Sequence, residues 1–200
     1  MKLPGLLFRV LEVDVSELQE EVAKLTKDQW VEWELRQSKY RVHSSTQTYP
    51  FYFSEYGEPS KAYNLDTRLW QLVEPILKEV ENFYNRKAEI SILINLPPGG
   101  MIAPHVDAGW LVNTHRIHIP IITDPKILFV LDDKKFHLQS GYAYEMNNLV
   151  QHSVINPTNI GRVHLMVDLL PNPPLNPAVL KSPLESIGYK SLKINELLTP

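Results

Sequence analysis

The chain has 200 residues, a formal net charge of −3, 44% hydrophobic and 22% charged residues, and no cysteine. This is ordinary globular usage, enough for one domain to bury a core without staples. It excludes disulfides, thiolate metal sites and a cysteine nucleophile, and the lack of any basic excess argues against a nucleic-acid or membrane-surface partner. The opening stretch MKLPGLLFRVLEVDV is interrupted by Pro4, Gly5 and Arg9 and does not read as a signal peptide. No run reaches the roughly 18 apolar residues that would span a bilayer. The expectation is a cytoplasmic enzyme or binding protein; its oligomeric state is not legible.

Residues 6–15 read as an opening strand, followed by a helix over SELQEEVAKL, with Ser16 and Gln19 as a capping box and Leu18, Val22 and Leu25 on one face. Residues 40–53, rich in Thr, Tyr, Phe and Val, suit strands. Asp66 is expected to cap a second helix, in which Leu69, Val73, Ile76, Leu77, Val80 and Tyr84 recur at helical spacing. Pro75 implies a kink there or marks the first turn.

The period changes near residue 89. From there to Leu170 only short strand-like runs occur: EISILINL, APHVDAG, RIHIPIIT, KILFVLDDKKFHL, GYAYEM, QHSVIN and GRVHLMVDLL. Short, evenly spaced strands indicate an all-β sandwich or barrel. The chain therefore divides into a mixed part (1–88), a β core (89–170) and a proline-rich extension (171–200) expected to wrap the outside, all within one domain.

Among the seven histidines, His43 and His137 carry no partner pattern and read as ordinary polar residues. His105 is different. It lies two residues before Asp107, and residues i and i+2 of a strand share a face. His152 offers a third ligand from a later strand. Two imidazoles and one carboxylate on one face of an octahedron leave three open positions, the arrangement of non-haem iron(II) oxygenases. The same donors also suit Mn, Co or Zn, so ligand type alone does not select iron. Arg162 follows His152 after the turn Asn156-Pro157-Thr158-Asn159 and Gly161, and antiparallel strands on either side of that turn are expected to return it to the metal's neighbourhood. A buried guanidinium needs a partner, and its planar fork matches a carboxylate.

Over residues 98–171 the sequence resembles the aspartyl/asparaginyl β-hydroxylase superfamily, which includes free-proline hydroxylases. The resemblance runs through PHVD, RIHIPI, GYAYEMNNLVQH and Arg162 with VHLMVDLLP. It implies a mainly β protein with flanking helices, built on a double-stranded β-helix (jelly-roll or cupin-like). It also implies an iron(II)- and 2-oxoglutarate-dependent oxygenase, with O2 as the second cosubstrate. His105, Asp107 and His152 would hold iron at the catalytic centre, and Arg162 would hold the far carboxylate of 2-oxoglutarate. Arg116 and His118, the family's arginine-x-histidine strand, would contact cosubstrate or substrate.

Two features depart from the family pattern. An acidic pair is replaced by Asn147-Asn148, and Asp107 supplies a carboxylate ligand that aspartyl-residue hydroxylases lack, as in the proline-hydroxylase branch. The expected substrate is thus a small carboxylate-bearing molecule such as a free amino acid. The alternatives are a peptidyl Asp/Asn hydroxylase, a cupin-type metalloenzyme that uses no 2-oxoglutarate, and a non-catalytic cupin-like binding module. Of the remaining residues, Trp110 lies in a loop that could cover the site, His164 shares parity with Arg162, and Ser44, Ser45, Thr46 and Thr48 could offer hydroxyls.

Overall fold

The structure, a computed structural model, describes residue 3 and residues 5–30, 41–54 and 59–169. In chain order these form β1 (Leu7–Glu12), α1 (Ser16–Ala23), β2 (Gln47–Phe53), β3 (Lys61–Ala62), α2 (Arg68–Tyr84), β4 (Ala88–Leu96), β5 (Met101–His105), β6 (His115–Ile122), β7 (Leu128–Leu131), β8 (Lys134–Phe136), β9 (Tyr142–Met146), β10 (His152–Ile155) and β11 (Arg162–Leu169). From β4 onward the chain passes back and forth between two antiparallel sheets. The larger has the order β1-β9-β6-β11-β4-β2-β3 and the smaller β5-β10-β7-β8. This is the double-stranded β-helix. The proline-rich extension lies outside the described residues.

Each strand of the larger sheet sorts its residues by parity. On β6 and β11, Ile117, Ile119, Ile121, Val163, Leu165, Val167 and Leu169 join the core that contains Leu18 and Val22 of α1 and six buried residues of α2. Each apolar side chain buried there contributes roughly 1.5–3 kcal/mol. The alternate residues Arg116, His118, Arg162, His164 and Asp168 must then point between the sheets, and all are buried. A polar link also crosses the helical layer. Tyr84 Oη donates to Glu145 Oε2 at 2.7 Å, and Glu145 Oε1 lies 2.6 Å from His115 Nδ1. Burial pushes the Tyr84 phenol well above its ordinary pKa, so it remains a donor.

The helix starts differ from the sequence expectation. The α2 cap is Thr67, whose hydroxyl accepts from the Trp70 amide at 3.2 Å, rather than Asp66. Pro75 lies inside this helix and does not mark its start. At α1 the capping box does not form. Val15 is the N-cap, and the Gln19 amide instead donates to Ile121 O and Ser140 Oγ in the larger sheet. Residues 41–43 form a 3-10 turn, so the strand read over 40–53 begins only at Gln47.

The turn from β10 to β11 carries the chain from one sheet to the other, so these two strands do not pair. β10 lies between β5 and β7, and β11 between β4 and β6. Asn156, fully buried, organises this crossing: its amide donates to Leu96 O, Pro97 O and Ile160 O, and its carbonyl accepts from Thr158. A Cβ at Gly161 would lie 2.6 Å from Asn95 Oδ1, so any larger residue there would make the Asn95 side chain shift. Asn156→Ala should therefore lower the unfolding free energy by about 1–3 kcal/mol in urea denaturation, the cost of stranding buried carbonyls, with an unchanged denaturant slope. An unchanged midpoint would show that the amide is not needed at the crossing.

Candidate metal centre

His105 and His152 are direct cross-strand partners in the antiparallel β5–β10 pair, and their rings approach to 4.2 Å between centroids. Asp107 lies two residues beyond His105, just past the end of β5, where its amide donates to Asn148 O at 3.2 Å. One ligand atom from each of the three residues lies within 4.8 Å of the others. Asp107 Oδ1 is 3.9 Å from His105 Nε2 and 4.0 Å from His152 Nε2.

The outer contacts of the two imidazoles fix which nitrogen faces inward. His105 Nδ1 lies 2.8 Å from Ala103 O, and His152 Nδ1 lies 2.9 Å from Val150 O. A carbonyl oxygen only accepts, so each Nδ1 carries the proton and each Nε2 presents its lone pair to the common point. Burial, the largest cause, lowers the His152 pKa to about 4, so the ring is neutral and able to ligate at neutral pH. The donors comprise two imidazoles and a carboxylate, all partly or largely buried, and they fit a divalent transition metal such as iron(II).

Arg116 and Arg162 have different surroundings. Arg116 donates from Nε and Nη2 to the two oxygens of Asp168 at 2.9 and 2.8 Å, and from Nη1 to Asp107 Oδ2 at 2.5 Å. Arg162, only 1% exposed, lies with its guanidinium carbon 4.9 Å above the Phe129 ring, and its Nη2 is 2.7 Å from His164 Nδ1. Because a guanidinium only donates, His164 Nδ1 accepts. Burial, reinforced by Arg162, lowers the His164 pKa well below its ordinary value, so this ring stays neutral. His118 joins this second cluster, edge-on to Phe129 at 5.1 Å and to His164 at 5.8 Å. The structure thus groups His118 with Arg162 and places Arg116 with the Asp107 carboxylate.

The family model for aspartyl/asparaginyl β-hydroxylase matches residues 12–171.

The chain belongs to the aspartyl/asparaginyl β-hydroxylase family.

No curated protein matches it in sequence. Among solved structures, the fold is similar to an oxidoreductase of the 2OG-Fe(II) oxygenase family from Burkholderia pseudomallei, with a TM-score of 0.52, 12% identity, and coverage of 81% of this chain and 92% of that one. It is also similar to a Pseudomonas putida prolyl-4-hydroxylase, with a TM-score of 0.50, 10% identity, and coverage of 83% and 92%. Among the described residues, no helix is long and apolar enough to cross a membrane.

Relative to the family's acidic pair, Asn147 and Asn148 have a physical reason to be amides: both donate to carbonyls. Asn147 Nδ2 reaches Leu3 O and Gly5 O, while Asn148 Nδ2 reaches Leu111 O at 2.7 Å and so ties down the loop after Asp107. A carboxylate could donate at neither position. Trp110, in the 3-10 turn Gly109–Asn113 of that loop, packs against Ile90, Ile92, Ile94 and Met166. Of the hydroxyl candidates, Thr46 and Thr48 are buried while Ser44 and Ser45 are exposed, and Ser45 donates to Met101 O. His43 lies edge-on to His105 at 5.4 Å, a neighbour of the candidate metal centre that no local sequence pattern reveals.

His105→Ala and His152→Ala should each abolish stoichiometric binding of iron(II) or manganese(II), measured anaerobically by calorimetry, while the circular dichroism spectrum is retained. Wild-type metal affinity in both variants would refute the centre.

Proposed function

We propose that this protein is an iron(II)- and 2-oxoglutarate-dependent hydroxylase acting on an unactivated C–H bond of a small carboxylate-bearing molecule such as an amino acid. The observation that carries this reading is the convergence of His105 Nε2, His152 Nε2 and Asp107 Oδ1 on one point inside a barrel that also holds a buried arginine. Iron(II) with 2-oxoglutarate and O2 would supply, when bound, the oxidising chemistry that no side chain of this protein can provide.

The protein's own residues bind, orient and exclude water. His105, Asp107 and His152 would hold the metal, and Arg162 the far carboxylate of 2-oxoglutarate. Arg162 is suited to this by its permanent charge and planar fork. Phe129 supports one face of its guanidinium and the neutral His164 holds one of its nitrogens, which orients the rest of the group before a ligand arrives. His118, beside both rings, would line the same pocket. The isoleucines of β4 and Met166 form an apolar wall that keeps water out.

Asp107 supports the small-substrate reading, since the free-amino-acid branch of the family carries this ligand. Arg116 would not anchor the substrate carboxylate, because it is already paired with Asp107 and Asp168. Arg41, exposed in the 3-10 turn that packs on β5, is a candidate for that role. The family description, aspartyl/asparaginyl hydroxylation, favours a peptide as the second reading. A panel of free amino acids and short peptides, scored by succinate formation and a mass gain of one oxygen, separates the two: stimulation by peptides alone would overturn the small-substrate reading.

Anaerobic addition of iron(II) and then 2-oxoglutarate should produce a weak visible charge-transfer band that requires both. Arg162→Ala should raise the 2-oxoglutarate concentration needed by several hundredfold, the consequence of losing roughly 3–5 kcal/mol when one partner of a buried ion pair is removed. Arg162→Lys should recover only part of the loss. An Arg162→Ala protein that binds 2-oxoglutarate like wild type would overturn the assignment.

A further inference from the structure

We propose that Arg116, locked by Asp168, is a positioning residue that fixes Asp107 as a one-oxygen metal ligand; this rests on the iron(II) reading above. The two oxygens of Asp107 have separate surroundings. Oδ1 lies 3.9 and 4.0 Å from the two histidine Nε2 atoms, whereas Oδ2 accepts from Arg116 Nη1. Arg116 cannot swing away, because its Nε and Nη2 are held bidentately by Asp168. Arg116 and Asp168 are also direct cross-strand partners in the β6–β11 pair, so the backbone register sets their relative position. Arg116 is 6%, Asp107 7% and Asp168 0% exposed, so little water competes for these contacts.

Holding Oδ2 matters because a carboxylate can bind a metal through one oxygen or two. Two imidazoles and a single oxygen leave three of six octahedral positions open, which a chelating keto acid and O2 require together. A second carboxylate oxygen would take one of them. The pair of carboxylates around one guanidinium also leaves a net charge of −1 beside a dication. In the double variant Arg116→Met with Asp168→Asn, Asp107 alone keeps that same charge. A change in that variant therefore reports orientation and not total charge.

The experiment uses cobalt(II) as an anaerobic spectroscopic probe on the full chain. Metal affinity, the visible d–d spectrum and 2-oxoglutarate affinity are measured for wild type, Asp168→Asn, Arg116→Lys and the double variant. In the double variant 2-oxoglutarate affinity should fall about 10- to 100-fold while cobalt affinity stays within about threefold or rises. Its d–d bands before 2-oxoglutarate addition should shift from those of the wild type, because a second carboxylate oxygen changes the ligand set. Asp168→Asn and Arg116→Lys, milder changes to the buried pair, should fall between wild type and the double variant. Unchanged spectra and 2-oxoglutarate affinity in the double variant would overturn the proposal, as would a loss of cobalt affinity as large as the loss for 2-oxoglutarate. Failure of the wild type to bind cobalt would overturn the metal reading itself.

Discussion

The strand alternation of β6 and β11 beneath the helical layer is the constraint on which the site depends. Their odd-numbered isoleucines, leucines and valines are buried against α1 and α2. A one-residue slip of either strand would expose that set between the sheets and bury arginines, histidines and an aspartate under apolar helices. The hydrophobic effect thereby fixes the register, and the register delivers five polar side chains to the barrel interior. The site is in this sense the reverse face of the core.

Buried charge in such a place must be matched, and each arginine meets this demand differently. Arg116 is matched within the protein by Asp168 and Asp107. Arg162 lies against the Phe129 ring and a neutral histidine. The Asn148 side chain follows the same logic of satisfied polar groups. An amide there holds the loop after Asp107, whose backbone amide donates to Asn148 O and whose side chain accepts from Arg116.

Much of the fold was legible from period alone. The switch to two-residue alternation near residue 89 marks the onset of β4, and the apolar repeat of α2 marks its buried face. The helix caps were not. Asp66 and Thr67 are both good capping residues, and only the backbone geometry decides between them; Gln19 is drawn away from its local role by a carbonyl 102 residues distant. The His-x-Asp spacing and the parity of Arg116 with His118 were readable, but not what each would touch. Asp168, 52 residues from Arg116, is joined to it only by strand register, and so is invisible to any local pattern. The proximity of His43 to His105 is hidden for the same reason.

The most direct test is a crystal structure of the protein grown anaerobically with manganese(II) and 2-oxoglutarate. The account predicts the metal on His105 Nε2, His152 Nε2 and Asp107 Oδ1 only, with Oδ2 still on Arg116 and the far carboxylate of 2-oxoglutarate on Arg162. A metal bound elsewhere, or a 2-oxoglutarate carboxylate paired with Arg116 in place of Asp168, would contradict it.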